Sequence, residues 1–198
     1  MPSHFAVAII AVVASLVIAA PGQAEPRNFT LDPDHLTVAF LVEHVGFAKV
    51  LGVFREVRGT AVFDEAAPAL RSVDVSVATR SVDTGVRARD NHLRSGDFFD
   101  SNRYPQMRFV MTGAEQTGAR TGKITGDLTL RGATHPLVLD AAWNKSGAYP
   151  FGDRHYAVGI SARGTLRRSL WGMTYGIADG LVGDTVEILI EAELIRAE

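Results

Sequence analysis

Cysteine is absent from the 198 residues. Disulfides, thiolate metal sites and cysteine nucleophiles are thereby excluded, and the fold must be held by packing and hydrogen bonds alone. Excess charge is missing as well. Twenty Lys and Arg stand against 22 Asp and Glu, a net of −2, so the strongly basic face of a nucleic-acid binder is not available. There is no Gly-x-Ser-x-Gly elbow and no glycine-rich nucleotide loop. His35, His44, His92, His135 and His155 show no close ligand spacing, which predicts no metal site. No carboxylate pair stands out for acid–base work. These absences predict a protein that is not an enzyme and carries no cofactor.

Long apolar runs are scarce too. Residues 5–21 carry no charge, but they are shorter than the about 20 residues of a membrane span. Such a run fits the apolar region of a secretory signal, and small residues at Gly22 and Ala24 place cleavage after Ala24. The expected organisation is a signal peptide over residues 1–24 and one domain over 25–198, exported to the periplasm. An uncleaved N-terminal anchor is the other reading of the same run.

What the rest of the chain has is alternation. Apolar residues recur with period two over residues 36–44, 53–64, 70–79, 106–112, 122–131, 136–143, 155–168 and 184–195, the pattern of half-buried strands. Breaks such as Gly113–Gly122, Gly132–Pro136 and Asn144–Gly152 carry turn residues. Residues 86–100 do not alternate, and one short helix is predicted at about 86–96, ended by Gly96. A second irregular stretch, 170–183, is rich in glycine. Eight antiparallel strands close as a sandwich or as a barrel. A barrel removes exposed edges, and at eight strands its interior is either packed or holds one small ligand.

Phase assigns the inward side chains. Val38, Phe40, Val42 and His44 share one side of the first strand. Phe54, Phe63, Val75, Val77, Phe109, Met111, Leu128, Leu139, Ile160 and Ile188 are their counterparts on the others, with Arg168 and Trp171 near the end of the chain. Many inward positions are small, among them Gly59, Ala61, Ala141, Ala162 and Gly164. Composition alone leaves two readings open, a solid core and a hollow apolar slot. His44 reads either as a contact for a ligand's polar end or as a core histidine bonded to a neighbour. An inward Arg168 wants an anionic partner, either a ligand group or, the preferred reading, a structural carboxylate such as Asp97 or Asp100. The charged block 87–100 reads as a helix whose charges pair with one another while Leu93, Phe98 and Phe99 cap the barrel, or as a lid over it.

The residues Asp32-Pro33-Asp34-His35, Val38, Phe40, Val42, His44, Gly46 and Gly52-Val53-Phe54 resemble the opening of the YceI-like proteins. The resemblance continues through Ser81-Val82-Asp83-Thr84-Gly85 and the run Arg89 to Asp100. It extends through Tyr104-Pro105, Gly126 to Gly132, His135-Pro136-Leu137, Arg168-Ser169, Gly172-Met173 and Val182-Gly183-Asp184. It covers about residues 29–195. The implied fold is all-β, an eight-stranded antiparallel barrel of lipocalin-like shape. The implied ligand is a lipid, a polyisoprenoid or a fatty acid, and the implied location is periplasmic, in some members as a homodimer. Leu36 stands where that family usually has Ser, and Leu170-Trp171 where an acidic residue and Phe are usual, so both departures add apolar bulk. The leading expectation is a carrier or sequestering protein for a long apolar lipid. The competing ones are an enzyme that uses His44 and Arg168 on an apolar substrate, and a β-module for protein contacts.

Overall fold

The computed structural model describes residues 25–65 and 69–197. The expected signal peptide lies outside the described residues. Ten strands follow one another: β1 (Arg27–His44), β2 (Ala48–Phe54), β3 (Val57–Asp64), β4 (Ala69–Ala78), β5 (Val82–Asp83), β6 (Gln106–Gln116), β7 (Thr121–Leu130), β8 (Ala133–Ala148), β9 (Tyr156–Arg167) and β10 (Val182–Arg196). One helix, α1 (Arg87–Arg94), and two 3₁₀ turns, Thr79–Ser81 and Arg168–Trp171, complete the chain. The helix falls inside the predicted 86–96.

The sheet is closed. Neighbours run β10-β9-β8-β7-β6-β4-β3-β1, and β10 pairs back onto β1. Eight antiparallel strands therefore form the barrel. The other two are continuations across breaks: β2 extends the line of β3 and pairs with the far half of β1, and β5 pairs with β2 at Phe54 and Val53. All eight predicted strands are present, and the closed barrel is the architecture that the sequence pattern and the resemblance imply.

The strands are long. At about 3.3 Å per residue and a tilt of about 40°, the 15 residues of β10 give a barrel roughly 35–40 Å tall. Hydrophobic packing is distributed along the inner wall in three clusters. One centres on Phe109, Leu128 and Leu139, one on Phe40, Phe54 and Val82, and one on Phe29, Ala61 and Leu194.

Two glycines explain why this wall does not fill its own centre. Phe40 pairs with Gly52 across β1 and β2, and a Cβ on Gly52 would sit 2.3 Å from the Phe40 ring. A Cβ on Gly126 would likewise sit 2.3 Å from the Phe109 ring. Each ring reaches over a glycine in the next strand, where any side chain would collide with it. The glycines therefore convert the largest side chains into wall.

An apolar tunnel with two unlike portals

The barrel encloses a cavity of about 820 Å³. That lies in the upper part of the roughly 300–1,000 Å³ range of ligand pockets and is several times the about 150 Å³ of an apolar cavity that binds benzene. Its walls run from His44, Val45 and Leu181 at the end carrying α1 to Arg71, Gln116 and Arg120 at the other end. The void is thus a tunnel along the barrel, lined between its ends by apolar side chains.

Fourteen of the sixteen candidate positions from the sequence line this tunnel: Val38, Phe40, Val42, His44, Phe54, Phe63, Val75, Val77, Phe109, Leu128, Leu139, Ile160, Arg168 and Ile188. Met111 and Trp171 do not. Met111 packs against the cluster around Phe109 and Leu128, beside the irregularity in the β6–β7 pairing between Met111 and Gly113. Trp171 is only 3% exposed. Its indole N–H donates to the Leu128 carbonyl at 3.1 Å, and its ring meets His135 edge-on. Trp171 therefore pins the 170–183 segment to the barrel rim. Leu36 lines the tunnel, whereas Leu170 is half exposed.

The α1 end is built from charge-to-backbone hydrogen bonds. Arg168, 3% exposed, donates to the carbonyls of Gly183 (2.7 Å), Met173 (2.8 Å), Tyr175 (2.7 Å) and Val182 (2.8 Å). The expected pairing with Asp97 or Asp100 is not what the structure has, because Asp97 is taken by His92 at 2.9 Å. Four carbonyl dipoles converge on the guanidinium instead, and Phe98 lies 5.6 Å from it. Burial pushes the Arg168 pKa down, with Asp184 opposing. Arginine still stays charged, given its intrinsic basicity.

Arg94 similarly holds the Arg80 and Val82 carbonyls, both at 2.7 Å, and Arg131 holds those of Gly96 and Phe98. Buried Asp90 accepts from the Thr84 amide (2.8 Å) and hydroxyl (2.6 Å). The block's charges thus serve backbone far more than one another. Leu93, Phe98 and Phe99 do face the tunnel. His44 lines this portal, and its carbonyl accepts from the Phe47 amide at 3.1 Å.

The opposite portal is framed by the β6–β7 hairpin and the start of β4. Arg120 donates to the Asn144 carbonyl at 3.0 Å and lies 5.6 Å from the Trp143 ring. Arg71 stands 3.8 Å from Asp64 and is otherwise half exposed. Gln116 donates to Gly118 at 3.0 Å. Sequence reasoning missed this portal, because hairpin tips carry no periodicity that would aim them inward.

The comparisons with known proteins agree with this geometry. The family model of the YceI-like domain matches residues 29–194. Protein YceI of Shigella flexneri is 35% identical over 185 residues, 92% of this chain and 94% of that protein. A UPF0312 protein of Pseudomonas savastanoi pv. phaseolicola is 34% identical over 177 residues, 88% and 90% of the two chains. A crystal structure of the Campylobacter jejuni YCEI protein superimposes with a TM-score of 0.72 at 31% identity, covering 79% of this chain and 90% of that one. A polyisoprenoid binding domain from Saccharophagus degradans shares the fold, with a TM-score of 0.63 at 12% identity, covering 85% and 98%. Motifs, closed barrel and comparisons converge, and the chain belongs to the YceI-like family.

Proposed function

We propose that this protein binds one long apolar lipid, polyisoprenoid or fatty-acid-like, along the axis of its barrel. It acts in the periplasm after export as a carrier or sequestering protein and catalyses no reaction. The observation that carries the reading is the apolar tunnel of about 820 Å³. Apolar chains offer nothing to hydrogen-bond, so their affinity comes from surface removed from water, about 25 cal/mol per Å². A barrel roughly 35–40 Å tall exceeds the about 15 Å of one bilayer leaflet, which favours a long chain over a short one. The polyisoprenoid binding domain that shares the fold supports the same class of ligand.

The two portals orient the ligand. Arg71 and Arg120 at the hairpin portal suit an anionic head group. The tail then faces the α1 portal. Exposed Val45, Phe47 and Leu181 around it offer an apolar rim. The test is organic extraction of the purified protein followed by mass spectrometry, with titration of fluorescent acyl and prenyl probes. A bound lipid at near one per chain is expected. No extracted lipid together with no probe binding overturns the reading.

A further inference from the structure

A second group of chemistry-bearing side chains sits on the outer wall, where the barrel closes. In the β1–β10 pairing, Leu31 faces Leu194 and Leu36 faces Ala192. Four residues of β1, Asp32-Pro33-Asp34-His35, therefore stand opposite the single residue Glu193. Pro33 has no N–H to give to the ladder, and the strand bulges. The Asp34 amide donates to Asp32 Oδ1 at 3.0 Å, and His35 Nδ1 lies 2.8 Å from Asp32 Oδ2. The bulge thereby carries a carboxylate and an imidazole onto Glu193. One donor atom from each of Asp32, His35 and Glu193 lies within 4.8 Å of the others.

One further observation points to a ligand there. Glu193 Oε2 is buried and has no hydrogen-bond partner among the described residues. Burying a carboxylate oxygen without a partner is costly unless something else satisfies it.

We infer that Asp32, His35 and Glu193 form a binding site for a transition-metal dication, with Zn²⁺ the best match and solvent completing its shell. Imidazole nitrogen beside carboxylate oxygen suits Zn²⁺, whereas Mg²⁺ and Ca²⁺ prefer all-oxygen shells. Two carboxylates supply the charge a dication neutralises. Donors 2.0–2.2 Å from a tetrahedral ion lie about 3.4 Å apart, so no spacing among the three has to close by more than about 1.4 Å. The His35 side chain is half exposed. The ion replaces the proton that Asp32 and His35 share. It ties the bulge of β1 to the end of β10 at the closing seam, outside the tunnel.

The test uses the full chain without a histidine tag, treated with chelator and dialysed. Zn²⁺ titration by calorimetry should give one ion per chain. Zn²⁺ a hundredfold above Kd should raise Tm by about 5–10 °C, and added Co²⁺ should give the visible absorption of a tetrahedral site. Glu193→Gln, whose Oε2 makes no hydrogen bond to lose, and His35→Ala should each weaken Zn²⁺ binding at least tenfold. The inference is overturned if Zn²⁺ leaves Tm unchanged, if the variants bind as tightly as the parent, or if Ca²⁺ and Mg²⁺ stabilise equally.

Discussion

The two ends of the barrel are stabilised by different physics. At the α1 end, ionised side chains are sunk into backbone: Arg168 serves four carbonyls, Arg94 two, and Asp90 both groups of Thr84. Charge-assisted hydrogen bonds in a dry setting are strong, and their partners are costly to orphan. At the hairpin end, the comparable contact is the exposed Lys123–Asp140 pair, worth about 0–1 kcal/mol. One end is locked and the other is held loosely. The binding proposed above then predicts that a ligand exchanges through the hairpin portal.

The largest expected effect tests the locked end. Arg168→Ala leaves the Gly183, Met173, Tyr175 and Val182 carbonyls without their donor. It should cost about 3–5 kcal/mol in urea unfolding, with hydrogen exchange rising first over residues 172–183. An equal loss from Arg120→Ala would erase the contrast between the ends.

Next comes the middle of the tunnel. Gly52→Val forces the Phe40 ring off its glycine and into the lumen. Affinity for acyl probes should fall tenfold or more, about 1.4 kcal/mol, while far-ultraviolet circular dichroism stays unchanged. Unaltered binding would show that the ring can move elsewhere and that the tunnel does not depend on this pairing.

Acid sharpens the comparison further. Desolvation raises the Asp184 pKa, but hydrogen bonds from the Ser169 amide and hydroxyl, together with Arg167, outweigh it and hold the carboxyl below its ordinary value. A depressed carboxyl contributes stability that is complete above its unfolded pKa of about 3.9 and is lost as pH falls through the lower folded value. Parent protein should therefore lose stability at the α1 end as pH falls below about 4. Asp184→Asn should be weaker at neutral pH and should lack that part of the acid loss, as read from urea midpoints across pH.

The smallest effects separate the portals by chemistry. Arg120→Ala should weaken a carboxylate-headed probe several-fold, and more at low salt, while leaving an alcohol-headed analogue alone. Phe47→Ser, at a side chain 91% exposed, should change stability by under about 0.5 kcal/mol and slow lipid pick-up from vesicles only modestly. If both substitutions act alike on both probes, the tunnel has no polarity.

The barrel was legible in the sequence because alternation is a local signal: Val38-x-Phe40-x-Val42 and Val186-x-Ile188-x-Ile190 reveal an inner face one strand at a time. What closes the ends was not legible. Arg168 was expected to seek a carboxylate, yet its partners are carbonyls, which every residue possesses and no composition reveals. Trp171 had the size of a lining residue, but the register places its indole on the Leu128 carbonyl. The rings of Phe40 and Phe109 needed knowledge of which glycine lay across the ladder. Asp32, His35 and Glu193 were invisible as a group, since they meet only once β1 and β10 zip together around a bulge.

The glycine-backed wall has a mechanical corollary. Most small domains store their apolar groups in a dense interior that hydrostatic pressure barely compresses. Here the same groups form a shell around space, and unfolding removes that space. Compression therefore pushes the equilibrium toward the smaller unfolded volume, while an occupant in the lumen stiffens the shell against it. A high-pressure cell becomes a gauge of how full the barrel is.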